Sequence, residues 1–97
     1  MDKIKMHEDI CKDLNKIYHD KNQIYGDSFG KTFQSLGLIS AVTRMTDKFN
    51  RIVALATGVE NRVIDEALED TLLDLANYCI MTKIELDIIR RKKDGGD

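Results

Sequence analysis

The chain has 97 residues, a formal net charge of −2, 42% apolar and 33% charged residues, and no proline. A single domain of this size, with few helix breakers and no sustained strand-type alternation, predicts a small all-α protein. Its near-neutral charge argues against a general binder of nucleic acid or membrane surfaces, and the lack of a signal-peptide pattern or a membrane-length apolar run predicts a cytoplasmic location.

The first predicted helix covers residues 3–24. Ile10, Leu14, Ile17 and Ile24 form its apolar face, which Lys21 interrupts, and Tyr18 lies beside it. Gly26 is a natural left-handed stop. Residues 25–31 read YGDSFGK, a turn in which Asp27 or Ser28 can cap the next helix. Tyr25, Phe29 and Phe33 crowd this turn, either as anchors to the core or as ligand contacts. A short helical piece over 32–36 breaks at Gly37. The second main helix then carries Leu38, Val42, Met45, Phe49 and Ile52 as a core stripe and closes at Gly58. Its polar side presents Arg44, Lys48 and Arg51 at helical steps, with Asp47 beside them.

The third main helix starts at a cap on Asn61 or Asp65 and runs to about Lys92, roughly 45 Å. Ile64, Leu68, Leu72, Leu75 and Cys79 predict its buried stripe. Glu66, Asp70, Asp74 and Asn77 stack along a second face. Like charges four residues apart cost a few tenths of a kcal/mol each, so this column calls for a divalent cation, basic residues of another helix, or solvent. Ile80, Ile84, Ile88 and Ile89 extend the apolar surface beyond what two shorter helices cover, which predicts a homo-oligomer. Arg90 to Lys93 suit a helix C-terminus. The expected organisation is one helical bundle over 1–93 and a disordered tail over 94–97. Cys11 and Cys79 lie on apolar stripes and are expected to be buried free thiols. His7 and His19 are expected to face solvent. Ser28 has no nearby histidine and is read as a cap rather than a nucleophile.

Several stretches carry a family resemblance. They are Lys21-Asn22, Tyr25-Gly26-Asp27-Ser28-Phe29, the run from Arg44 through Asp47, Lys48 and Asn50 to Arg51, and Asp65-Glu66 continued by Asp70 through Tyr78. In this order they resemble the phage and prophage nucleotide modification associated domain family, over roughly residues 17–86. The resemblance implies a small all-α phage-type protein tied to nucleotides. The chain is more distantly similar to MazG-like and dimeric dUTPase-like pyrophosphohydrolases, all-α enzymes that hold Mg²⁺ with acidic residues of two helices. Here the second helix shows Asp47-x-x-Asn50 where those enzymes carry an acidic pair.

Three readings follow. In the first, the protein binds a phosphorylated nucleotide and sequesters or presents it, with no cofactor required. Lys31, Arg44, Lys48 and Arg51 hold phosphate, Tyr25 and Phe29 enclose the base, and Asn77 meets a polar edge. In the second, Glu66, Asp70, Asp74 and Asp47 hold Mg²⁺ for pyrophosphohydrolysis. In the third, the acidic and basic columns are interhelical ion pairs without a ligand.

Overall fold

The structure, a computed structural model, describes residues 1–58 and 66–95. Those residues form four helices and no strand: α1 (Lys3–Tyr25), α2 (Ser28–Leu36), α3 (Leu38–Ala56) and α4 (Glu66–Lys93). The all-α expectation holds. The short piece before Gly37 is a nine-residue helix that already includes Phe29. The expected caps at Asn61 or Asp65, and Ile64 of the predicted stripe, lie outside the described residues.

Local chemistry sets the joints. The Asp2 carboxylate accepts from the Lys5 N–H at 3.0 Å and starts α1. Gly26 stops α1 at φ 66°, donating its N–H to the Asn22 carbonyl at 2.7 Å. Asp27 then caps α2, accepting from the Gly30 N–H at 3.0 Å, so Ser28 is the first helical residue and not the cap. A Cβ on Gly30 would fall onto that Asp27 carboxylate, so the cap requires glycine there. Gly37, at φ 79°, ends α2 and opens α3.

Helices α3 and α4 form the most extensive pairing. Met45 meets Cys79, Lys48 meets Asp74 and Arg51 meets Thr71, so rising numbers on one helix face falling numbers on the other: the pair is antiparallel. Helix α1 also runs antiparallel to α4, with Leu14 at Asn77 and Lys21 at Asp74. Helix α2 lies across the hairpin. Its Phe29 and Phe33 are buried with Ala41, and Met45, Tyr78 and Met81 pack around them. Ala41 is only 1% exposed, and its small side chain is what lets α2 approach so closely. Each buried phenylalanine contributes about 2–3 kcal/mol of transfer free energy, so α2 supplies much of the core.

Several expected core positions are outside. On α3, Leu38, Val42 and Phe49 are exposed, and the inward strip runs through buried Ala41 and half-buried Met45, Lys48 and Ile52. The apolar face of α3 is wider than one contact. The bonds from Lys48 and Arg51 turn its polar margin toward α4 and leave the other apolar margin outside. On α4, Leu72 and Cys79 are exposed for the same reason, while Thr71, Asn77, Thr82 and Glu85 are buried. Cys11 is exposed too, so neither thiol is a core residue. On α1 only Leu14 of the apolar face is buried, and Ile10 and Ile24 are exposed.

Beyond Lys93, Asp94 and Gly95 continue as a turn. Their N–H groups donate to the carbonyls of Arg90 and Lys92 at 3.0 and 3.1 Å. Gly96 and Asp97 lie outside the described residues. The radius of gyration is 15.7 Å, against about 12.5 Å for a compact chain of this length. Among the described residues, no helix is long and apolar enough to cross a membrane.

Candidate functional site

Between α1, the α1–α2 joint and the α3–α4 hairpin lies a cleft of about 310 Å³. Helix α1 contributes Tyr18, Lys21, Asn22 and Tyr25 from its last two turns. The joint contributes Gly26, Asp27 and Ser28, and Phe29 follows at the start of α2. Arg44 and Lys48 come from α3, and Asp74, Asn77, Tyr78 and Met81 from α4. The two glycine-terminated helix ends place all these side chains around one opening.

Asp74 is the electrostatic centre. Lys48 Nζ donates to Oδ2 at 3.0 Å, and Lys21 Nζ donates to Oδ1 at 3.3 Å. Burial alone raises the Asp74 carboxyl. The hydrogen bond from Lys48 and the charges of both lysines outweigh it and hold the group below the ordinary aspartate value. One carboxylate therefore ties three helices together.

The aromatic side is built on Phe29. Its ring stacks with Tyr78 at 5.9 Å between centroids and 19° between planes. The Arg44 guanidinium carbon lies 5.5 Å from the same ring centroid, a cation–π contact. Among the described residues no carboxylate pairs with Arg44, so its N–H groups remain available to an anion. Phe29 is 5% exposed, whereas Tyr25 is 70% exposed at the rim. The open aromatic platform is thus Tyr25, and Phe29 serves as the support beneath Arg44. Asn77 is buried and donates through Nδ2 to the Leu14 carbonyl at 3.1 Å, which fixes one side of the cleft.

A second hollow, about 580 Å³, lies beyond the Lys48–Asp74 pair and adds Arg51, Glu66, Ala67, Asp70 and Thr71. Arg51 Nε donates to Thr71 Oγ1 at 3.2 Å, and that hydroxyl donates to the Ala67 carbonyl at 2.6 Å.

The structure thus brings Tyr25, Phe29, Arg44, Lys48 and Asn77 to one cleft. It places Arg51 in the neighbouring hollow, and Lys31 lines neither. Of the acidic set, Asp74 borders both spaces, Glu66 and Asp70 border only the second, and Asp47 is exposed and borders neither. Among the described residues no three carboxylate, histidine or cysteine side chains converge in a metal-holding group. Tyr18, Lys21, Asn22 and Tyr78 complete the cleft beyond the expected set. Their signals were a lysine breaking an apolar face, an asparagine directly after it, a tyrosine beside that face, and a tyrosine directly after Asn77.

Fold and cleft together define a small all-α protein whose cleft is lined by an exposed tyrosine ring and by a guanidinium without a carboxylate partner among the described residues. The chain belongs to the nucleotide modification associated domain 1 family, whose match spans residues 21–86 and so contains every cleft residue except Tyr18. No curated protein and no solved structure matches it.

Proposed function

We propose that this is a phage-type nucleotide-binding protein that holds a phosphorylated nucleotide in the α1–α3–α4 cleft, to sequester it or present it to a partner. The observation that carries this reading is one cleft lined by both the exposed Tyr25 ring and the Arg44 guanidinium, which has no carboxylate partner among the described residues. A guanidinium offers a fork of donors to phosphate, and a free tyrosine face accepts a base. Family membership ties the chain to nucleotide modification, and the cleft supplies a place for such a molecule.

The test is native mass spectrometry of the protein as purified from bacterial cells, followed by binding titrations with the released compound. A bound nucleotide whose retention is lost in Arg44→Ala supports the reading. The principal alternative is a Mg²⁺-dependent pyrophosphohydrolase. It would show as metal-dependent release of pyrophosphate from nucleoside triphosphates. The two lysines already held by Asp74, and the position of Asp47 away from both hollows, favour binding over hydrolysis.

We further infer that a second copy of the chain covers the outer face of the α3–α4 hairpin. Leu38, Val42, Phe49 and Val53 on α3 share that face with Leu72 and Leu86 on α4, each 39–56% exposed. Phe49 follows Val42 by seven residues, and Leu72, Cys79 and Leu86 repeat at the same interval, the spacing of a helix–helix seam. At about 80 Å² each, six such side chains supply about 480 Å² of apolar area. That is close to the apolar core of an interface burying about 800 Å² per partner.

A further inference from the structure

We propose that the cleft, on the nucleotide reading above, selects ligands bearing a single phosphate, and that Asp74 sets this selectivity by neutralising Lys21 and Lys48. The lining holds three cations, Lys21, Arg44 and Lys48, and two carboxylates, Asp27 and Asp74. That leaves one positive charge. The Asp27 carboxylate is engaged as the α2 cap, and Asp74 takes both lysines at 3.0 and 3.3 Å. The cation left over is Arg44, oriented by Phe29.

A phosphate monoester carries about −1.5 to −2 at neutral pH, so the net charge of +1 in the cleft already falls short of neutralising a single phosphate. Each further phosphate adds negative charge without a free cation to meet it. The chain would have to pass Asp74, where a carboxylate repels it and the lysines are already taken. Asp74 therefore weighs most heavily against the longer phosphate chains. Replacing it with asparagine keeps the shape and hydrogen-bonding reach, removes one negative charge, and frees two lysines.

The experiment is calorimetric titration of the full chain with the mono-, di- and triphosphates of the four 2′-deoxynucleosides, with EDTA and at about 0.1 M salt. The expected result is that the best-bound base binds as its monophosphate at least about tenfold tighter than as its triphosphate. In Asp74→Asn both ligands should gain, the triphosphate more than the monophosphate, so that the gap closes to under about threefold. Arg44→Gln should lose about tenfold or more for the monophosphate. Circular dichroism and melting confirm that each variant is folded. Wild-type protein that binds triphosphates as well as monophosphates overturns the selectivity and leaves the nucleotide reading standing. So does an unchanged gap in Asp74→Asn, whereas full affinity in Arg44→Gln overturns both the selectivity and the assignment of this cleft as the nucleotide site. No binding by any member of the panel overturns both.

Discussion

Leu14→Ala should release α1 from the rest of the molecule without unfolding it. Leu14 is the one buried apolar residue of α1, at 6% exposure. Beyond it, α1 is held by the Asn77–Leu14 hydrogen bond, the Lys21–Asp74 ion pair and half-buried Ile17, which shares a small hollow with Leu73. A buried Leu→Ala change costs about 3 kcal/mol. The hydrogen bond contributes about 1 kcal/mol. The ion pair, whose lysine is 60% exposed, contributes less than about 1 kcal/mol. The loss therefore exceeds the two polar ties that remain. The core of Phe29, Phe33 and Ala41 lies elsewhere and stays intact. Hydrogen exchange read by residue is the assay. Amides of α1 should lose protection by about 10²-fold, the equivalent of 3 kcal/mol, while those of the central turns of α4 change by less than about threefold. Nucleotide binding should fall with α1, because Tyr18, Lys21, Asn22 and Tyr25 leave the cleft together. Equal loss of protection in α1 and α4 would show one cooperative unit and refute this division of the molecule, as would unchanged protection in α1.

The Asp74 carboxyl is held below its unfolded value, so its stabilising effect is complete above about pH 3.9 and is lost as pH falls through the lower, folded value. The stability difference between wild type and Asp74→Asn should be constant from pH 7 to about 4 and shrink below that in acid-denaturation curves. Arg51→Ala should cost about 1 kcal/mol in chemical denaturation, by loss of the bond to Thr71, and leave nucleotide affinity within about twofold. Gly30→Ala should cost about 1–2 kcal/mol by displacing the Asp27 cap, measured as a lowered melting temperature with unchanged oligomer size. Phe49→Glu, on the outer hairpin face, should convert a particle of at least twice 11.1 kDa into a monomer in light scattering.

Much of the fold could be read from residue spacing and breakers. The left-handed stops at Gly26 and Gly37 sit where the periodicity ends, and the absence of proline leaves four helices with little to interrupt them. The buried faces were less legible. On α3 the most apolar line, through Leu38, Val42 and Phe49, is outside, and the line through Ala41, Met45, Lys48 and Ile52 is inside. Burial there is decided by Ala41 admitting α2 and by Lys48 reaching Asp74, neither of which hydrophobicity reports. The site shows the same limit. Arg44, Lys48 and Arg51 share one helical column, yet the Lys48–Asp74 pair divides the space in front of them and puts Arg51 on the far side. Lys21, 53 residues before its partner Asp74, could be found only as an apolar face broken by a charge.

Helix α2 is bracketed by glycines at positive φ, Gly26 and Gly37, and so behaves as a lever mounted between two pivots. Phe29 sits eight residues from the Gly37 pivot, about 12 Å along the axis, and Phe33 four residues, about 6 Å. A rocking of about 10° about Gly37 moves Phe29 by about 2 Å and Phe33 by about 1 Å. Phe29 and Phe33 both belong to the buried core, so any such rocking repacks that core, and most at the ring that supports Arg44. The width of the cleft mouth is therefore tied to the packing of the core: a change at Phe33 or Ala41 is felt at Arg44 through Phe29.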